Sequence, residues 1–254
     1  MIVNLPRVAP KGTILFIQLN GFRQADRRMI TSWSHEQVMG AEVSIDSESK
    51  VCSPDVTNRE MEKYWAVAGN SLEPDALAYP CGLLSKYYPQ DTFEFTDSKR
   101  GDYWQAPISA EGISWYGLKG NKFRSIDKTR EWVNIESERL INWMRPNTWT
   151  NVYKAWGRLE DDLPAGQYTV KIFNDLDPDI FAGQKLFGLS VLSPLGGRNP
   201  FVPATLWCLC IIALFLAGVF KYLSVQEEDI IARHSDSPTS PISIKAPLIV
   251  DPLD

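Results

Sequence analysis

The side chains that could do chemistry in this 254-residue chain are few and poorly spaced for catalysis. Histidine occurs only at His35 and His234, so a nucleophilic triad or a Cys-His pair in the main domain would depend on His35 alone. Zinc sites of the usual type favour closely spaced ligand pairs, whereas Cys52 and Cys81 are about thirty residues apart. We therefore predict no hydrolase triad, no metal centre and no cofactor.

One acidic run remains as a candidate for chemistry. Glu160, Asp161 and Asp162 are adjacent, whereas a loop that binds a cation places its ligands at alternating positions around a glycine bend. The run leads into a Leu-Pro-Ala-Gly sequence at residues 163–166, which is typical of a turn. The sequence favours a solvated turn, and a membrane-bound hydrolase that uses these carboxylates is the less favoured alternative.

A long apolar segment near the C-terminus sets the context for the rest of the chain. Residues 201–220 read FVPATLWCLCIIALFLAGVF, twenty residues without a charge. At about 1.5 Å per residue, a helix of this length spans roughly 30 Å, the thickness of a bilayer's hydrocarbon core. Core helices rarely contain so long an apolar run, so the segment predicts a membrane helix, in which Cys208 and Cys210 act as small apolar residues.

The membrane helix divides the chain into three predicted parts: a domain at residues 1–200, the helix at 201–222 and a tail at 223–254. The tail has a Ser- and Pro-rich centre, which is typical of disorder. The net charge of −5 gives no basic excess of the kind that nucleic-acid binding requires. Nucleic acid is therefore not an expected partner, and the membrane is.

The two cysteines of the main domain admit two interpretations. Each lies beside a proline, in Cys52-Ser53-Pro54 and Pro80-Cys81-Gly82, which suits one disulfide in a lumenal or extracellular compartment. Two reduced cytosolic thiols are the alternative. A cross-link that closes a loop of about thirty residues would contribute on the order of 3 to 4 kcal/mol to the stability of the fold. Residues 1–10 show no signal peptide, so a lumenal domain would need an upstream membrane segment that this sequence does not include.

Patterns of apolar residues predict the main elements. Strands are expected at residues 13–19, 167–173 and 185–192, from β-branched runs and from alternation of apolar and polar residues. Helices are expected at 137–145, at 60–68, and at 149–156, where Trp149, Val152, Tyr153 and Trp156 recur at helical spacing. Because there is no alternation of strands with helices, we predict a mainly β fold, an antiparallel sandwich with short helical insertions and a C-terminal membrane helix.

Several sequence blocks, taken in order, resemble the cell division control protein 50 family, the non-catalytic beta subunits of phospholipid flippases. The blocks are QLNGFRQ at 18–24 running into two arginines at 27–28, PCGL at 80–83 with DTF at 91–93, WMR at 143–145, LEDDLPAGQY at 159–168 and LGGRNPF at 195–201. Together they cover most of residues 5–222. The last two blocks are too long for the similarity to be a chance match.

The resemblance implies a lumenal or exoplasmic β-rich domain between two membrane helices. It also implies a type-IV P-type ATPase as partner, whose export from the endoplasmic reticulum and lipid transport depend on this subunit, and no catalysis by the subunit itself. Cys52 and Cys81 match the family's disulfide, and residues 201–220 match its second membrane helix. The motif residues to which the resemblance gives a structural role are Asn20, Phe22, Arg27, Arg28, Asp161, Asp162, Pro164, Gly166, Gly197, Asn199 and Pro200.

Two departures from the family pattern accompany the resemblance. The first membrane helix and a more N-terminal cysteine pair are absent from this sequence, and no Asn-x-Ser/Thr sequon occurs. We expect an integral membrane protein of the endoplasmic reticulum, Golgi, endosome or plasma membrane. The alternative from another functional class is a stand-alone receptor or adhesion domain on a single span.

Overall fold

The computed structural model describes residues 1–97, 104–193, 196–197 and 201–235. The chain divides into two compact units, Met1–Arg198 and Asn199–Asp254. The first unit contains the β-strands and all the short helices, and the second contains the long apolar helix.

Two antiparallel sheets form the first unit. In the three-stranded sheet, β1 (Ile2–Leu5) and β3 (Thr92–Thr96) flank β6 (Gly166–Phe173). The four-stranded sheet has the order β4 (Ile108–Ser109), β5 (Asn151–Leu159), β2 (Ile14–Asn20), β7 (Gln184–Ser190). A short ribbon pairs β8 (Leu192–Ser193) with β9 (Gly196–Gly197). The predicted strands at 13–19, 167–173 and 185–192 are thereby confirmed as β2, β6 and β7.

Aromatic side chains join the two sheets into a sandwich. The ring of Phe187 on β7 lies 5.3 Å from that of Phe93 and 5.7 Å from that of Phe95, both on β3. On β2, alternate residues point into this core, and Leu15 and Leu19 are each only 1% exposed. The predicted mainly β sandwich with short helices and one long C-terminal helix is confirmed.

Six short α-helices lie between the strands in the described part of the chain, and polar side chains cap the starts of four of them. They are α1 (Arg27–Thr31), α2 (His35–Val38), α3 (Ile45–Cys52), α4 (Asn58–Met61), α5 (Leu83–Lys86) and α6 (Glu138–Trp143). The side chains of Asp26, Ser34, Ser44 and Thr57 each accept a backbone N–H in the first turn of the helix that follows. The helix expected at 137–145 is confirmed as α6, which buries Leu140, Ile141 and Trp143.

The helix predicted at residues 149–156 is wrong, because this segment is strand β5. Val152, Lys154 and Trp156 are buried while Tyr153 is 52% exposed, an alternation of period two. The helical spacing did not place these side chains on one face, since Val152 and Trp156 are buried whereas Trp149 and Tyr153 are exposed. The strand interpretation places Lys154, a residue expected in solvent, on the buried face.

The segment at 41–78 contains more helix than expected in one place and less in another. α3 occupies residues for which no helix was predicted, because the apolar pattern there is weak. Only Glu48 and Cys52 on this helix are buried. The helix expected at 60–68 is limited to α4, because Glu62 adopts a left-handed backbone with φ of 58° and ends it.

The C-terminal unit contains α7 (Phe201–Ser235), and its portion Phe201–Asp229 is long and apolar enough to cross a membrane, with a mean hydropathy of 2.3. The helix extends past the predicted boundary at residue 222 and thus corrects the start of the disordered tail. Residues 221–235 contain neither glycine nor proline, so nothing in this stretch stops the helix. The rest of the predicted tail, 236–254, lies outside the described residues.

Candidate functional site

The disulfide between Cys52 and Cys81 is present, so the prediction of a cross-link is confirmed and that of two free thiols is wrong. Cys52 ends α3 and Cys81 lies in the turn before α5, with Cα atoms 5.6 Å apart. Both cysteines are fully buried. The bond closes a segment with a sequence separation of 29 residues.

Hydrogen bonds to three residues on other segments, Gln37, Ser32 and Trp132, hold the cross-linked turn. The side chain of Gln37 on α2 accepts the N–H of Cys81 at 2.8 Å and donates to the carbonyl of Ala78 at 3.1 Å. The hydroxyl of Ser32 donates to the Cys52 carbonyl at 2.9 Å, and the indole of Trp132 donates to the Pro80 carbonyl at 2.7 Å.

Glycine is required beside the cross-link. Gly82 has φ of +94°, and a Cβ at this position would lie 2.3 Å from the carbonyl oxygen of Ser32. The tight approach explains how the turn before α5 packs against the end of α1.

A buried carboxylate lies beside the disulfide. An oxygen of Glu48, which is 3% exposed, lies 3.8 Å from the Cys52 sulfur and 4.0 Å from the Cys81 sulfur. Together these three residues form a group with metal-ligand chemistry. The two sulfurs are bonded to each other, however, so neither is a thiolate and the group does not fit a metal ion.

Of the two motif residues at the end of β2, Phe22 is buried and Asn20 is partly buried. Phe22 is buried and lies 5.3 Å from the ring of Phe181 and 5.6 Å from that of Trp143. Asn20 ends β2, and its side-chain oxygen accepts from the Gln18 amide at 2.6 Å. Phe22 therefore belongs to the core that joins β2 to α6.

The two arginines of the same block lie on the surface. Arg27 and Arg28 open α1 and are exposed. The guanidinium of Arg28 lies 3.6 Å from the carboxylate of Asp26, and the Arg28 side chain is 88% exposed. This contact is a weak surface pair.

The acidic run forms the turn between β5 and β6 and lies in solvent. Asp161 and Asp162 are exposed, and Asp162 accepts the backbone N–H of Lys11 at 2.6 Å. The following Leu163 exchanges two backbone hydrogen bonds of 2.8 Å with Ala9. The turn thus fastens the segment between β1 and β2.

The rest of this motif supports the same turn. Pro164 offers its carbonyl to the Tyr168 hydroxyl at 2.9 Å, and Gly166 begins β6 opposite Leu5. Gly197 lies in β9 opposite Leu192. Asn199 and Pro200 lie outside the described residues.

A buried ion pair connects the two sheets. Asp91, with 0% exposure, accepts from the Lys185 ammonium at 2.8 Å and 3.0 Å and from the backbone N–H of Asp175 at 2.7 Å. The same ammonium donates to the side chain of Asn174 at 2.5 Å. The backbone carbonyl of Asp91 also accepts from the Trp156 indole at 2.9 Å. Each donor and acceptor of this junction therefore has a partner.

A buried lysine, which no sequence pattern indicated, lies at the C-terminal end of α6. Lys154 on β5 is 7% exposed and donates to the carbonyls of Asn142 at 3.0 Å, Trp143 at 3.5 Å and Arg145. Burial, and secondarily the charge of Arg145, lower the pKa of Lys154 from 10.5 to about 7. Recognising β5 as a strand is the signal that would have located this residue.

Other buried or capped groups near the core show how the environment changes protonation. Burial raises the pKa of Tyr88 to about 12. Hydrogen bonds from the N–H groups of Thr57 and Val56 lower the pKa of Glu60 in the capping box of α4. His35 starts α2, is exposed and stacks edge-on against Trp33 at 5.5 Å. None of these groups converges with the acidic turn among the described residues.

Comparison with known proteins gives a consistent set of relatives. The family model of the LEM3 (ligand-effect modulator 3) family / CDC50 family matches residues 2–229. The chain is 28% identical to ALA-interacting subunit 3 of Arabidopsis thaliana, over 82% of this chain and 59% of that protein. It is 27% identical to cell cycle control protein 50A of Bos taurus, over 74% of this chain and 57% of the relative.

A third relative has the most explicit name. The phospholipid-transporting ATPase accessory subunit CDC50 of Chaetomium thermophilum is 26% identical, over 77% of this chain and 52% of its own length. The chain thus spans less than two thirds of the length of each of these three relatives. With a family match from residue 2 to 229 and a helix able to cross a membrane, this chain is a membrane protein that belongs to the CDC50 family.

Proposed function

We propose that this chain is the non-catalytic beta subunit of a phospholipid flippase. In that role it binds a type-IV P-type ATPase, promotes export of the ATPase from the endoplasmic reticulum and supports phospholipid translocation. The observation that carries the proposal is the family match over residues 2–229, which includes both the sheet domain and the candidate membrane helix. A relative named as an accessory subunit of a phospholipid-transporting ATPase supports it.

The use of the polar side chains agrees with an accessory role. Asp91 and Gln37 are buried, Lys185 is partly buried, and all three make hydrogen bonds that hold the fold together. Asp162 belongs to the acidic run that was the candidate for catalysis, and it accepts a backbone N–H in an exposed turn. Polar groups that hold a fold together agree with a domain whose role is to bind and support another protein.

The motif residues have structural roles in this proposal. Phe22 packs in the core, Gly166 and Pro164 shape the turn after β5, and Asp162 fastens the N-terminal segment to that turn. The domain lies at residues 1–200 on the lumenal or exoplasmic face, since a disulfide is favoured in an oxidising compartment. The complex resides in the endoplasmic reticulum, Golgi, endosome or plasma membrane.

Co-purification tests the proposal directly. The full-length tagged chain is expressed in its own cells, solubilised in mild detergent and recovered, and the bound proteins are identified by mass spectrometry. We expect a type-IV P-type ATPase in stoichiometric amount. We also expect this ATPase to remain in the endoplasmic reticulum, and uptake of a fluorescent phospholipid to fall, when the chain is depleted. Recovery of the chain as a monomer with no P-type ATPase would refute the proposal and favour a stand-alone receptor.

A further inference from the structure

A pocket of about 440 Å³ opens at the C-terminal end of α6 and carries an unbalanced positive charge. It lies between α6, β5 and the loop before α6, and is lined by Ile113, Trp115, Asn142, Arg145, Pro146, Asn147, Thr148, Tyr153, Lys154 and Ala155. Two of the lining residues are cations, and none is a carboxylate. The pocket is therefore electrostatically suited to an anion.

The charge of Lys154 has no counterion within the described part of the chain. Its ammonium contacts three backbone carbonyls, and the charged side chain that acts on it is a second cation, Arg145. Carbonyl dipoles satisfy its three donors but leave its net charge unneutralised. Because an unpaired buried charge is unfavourable, an anion in the adjoining pocket would stabilise this arrangement.

Arg145 offers the contact that an incoming anion would use. The residue is exposed, it takes part in no ion pair among the described residues, and its guanidinium lies 3.8 Å from the centre of the Trp115 ring. Stacking on the indole holds the guanidinium in a fixed plane while its N–H groups remain available. A planar guanidinium of this kind matches a carboxylate, which it binds through two parallel hydrogen bonds.

The aromatic residues that line the pocket indicate that a protein presents the anion. Trp115 is 68% exposed and Tyr153 is 52% exposed. Large aromatic side chains and arginine are enriched at protein interfaces and among the residues that dominate their binding energy. Tyr153 also packs against Phe16 at 6.1 Å, so the aromatic surface continues onto the outer face of the four-stranded sheet.

We propose that this pocket binds a carboxylate side chain on an extracytoplasmic segment of the ATPase, with Arg145 as the direct contact and the exposed aromatic residues as its surround. The inference rests on the proposed function and adds to it the surface and the chemistry of the contact. Lys154 acts here as a positioning residue that holds the end of α6 and adds positive charge.

Charge reversal at Arg145 tests the inference. The full-length Arg145→Glu variant is compared with Lys122→Glu, which reverses an exposed charge outside the pocket. We expect Arg145→Glu to reduce recovery of the ATPase by about tenfold or more, because the contact turns repulsive. We expect Lys122→Glu to leave recovery unchanged. Equal amounts of both variants with an intact disulfide would establish that the domain is folded.

Recovery of the ATPase by Arg145→Glu at the wild-type level would overturn the inference and leave the proposed function standing. If wild type itself recovers no ATPase, the proposed function fails, and the inference fails with it. These two results are distinguishable because wild type and variant are purified side by side.

A photo-crosslinking residue in place of Tyr153 identifies the occupant. Adducts with an acidic extracytoplasmic segment of the ATPase support the inference, as does recovery of binding when an acidic residue in that segment is changed to arginine in the Arg145→Glu background. Adducts with lipid alone, or with another protein, overturn it.

Discussion

Two lysines in the described part of this domain have little solvent exposure, and their surroundings differ in one decisive respect. Lys185 meets the carboxylate of Asp91 at the junction of the two sheets. The hydrogen bonds of the Lys154 ammonium go to carbonyls at the end of α6. The first charge is neutralised within the domain, whereas the second is hydrogen-bonded but unneutralised. The comparison shows that satisfying the donors of an ammonium and balancing its charge are separate requirements, and that the second can be left for a partner to meet.

The strongest test of the comparison removes the balance at Lys185. We expect Asp91→Ala to lower the free energy of unfolding by about 3–5 kcal/mol, because a buried ammonium loses its counterion. Urea unfolding of the detergent-solubilised chain, followed by tryptophan fluorescence, measures the change. A loss below about 1 kcal/mol would mean that Asn174 and water replace the carboxylate without penalty.

The second test concerns Lys154 and pH. At neutral pH we expect Lys154→Met to lower the free energy of unfolding by about 1–3 kcal/mol, because backbone carbonyls at the end of α6 lose their donor. The pKa of Lys154 falls from 10.5 to about 7 on folding, so between these values the unfolded chain binds more protons. Wild-type stability therefore rises as pH increases through this range, and the term is constant below about pH 7.

The measurement for this second test is the difference in unfolding free energy between wild type and Lys154→Met from pH 7 to pH 10. We expect the difference to widen in favour of wild type as pH increases. A difference that stays constant would show that the carbonyls keep the ammonium protonated throughout, as its three hydrogen bonds favour.

A double replacement sharpens the comparison by removing both charges at the sheet junction. We expect the free energy of unfolding of the double variant Asp91→Leu, Lys185→Met to be within about 1 kcal/mol of the wild-type value, or higher. The reason is that apolar residues of similar volume commonly replace a buried ion pair without loss of stability. A double-mutant cycle with the two single variants isolates the pair. If the double variant is as unstable as Asp91→Ala, the cost arises from packing or from the N–H of Asp175, and the charge is not its cause.

The smallest effect is expected where both charges are in solvent. Arg59 and Asp75 approach to 3.1 Å, with side chains 64% and 72% exposed. We expect Asp75→Ala to change the free energy of unfolding by at most about 0.5–1 kcal/mol. The same unfolding assay provides the value, and high salt should reduce it further. A larger loss would contradict the view that burial determines how much an ion pair contributes to the free energy of unfolding.

The sandwich was largely predictable because its strands obey a local rule. β2, β6 and β7 alternate or run apolar over seven or eight residues. β5 was not predictable in the same way, since Trp149, Val152 and Trp156 recur at helical spacing. α3 was missed because its buried residues, Glu48 and Cys52, include a charged one.

The candidate site was predictable only in part, for a different reason. The disulfide followed from two cysteines beside prolines, a local signal that the structure bears out. The pocket at the end of α6 combines Trp115, Arg145 and Tyr153, which lie on three segments and share no sequence motif. Only the pairing of β5 with its neighbours, which turns Lys154 inward, brings them together.

The disulfide also determines how the chain would respond to a cut. The Cα atoms of Cys52 and Cys81, at the two ends of the segment that the disulfide closes, are 5.6 Å apart. Gly69 lies in an exposed turn near the middle of the segment, and a Cβ added there would have no atom within 4 Å. A protease that nicks this turn leaves both fragments covalently attached. Such a molecule would migrate as one band on a non-reducing gel and as two bands after reduction, which makes the turn a natural position for an inserted cleavage site or tag.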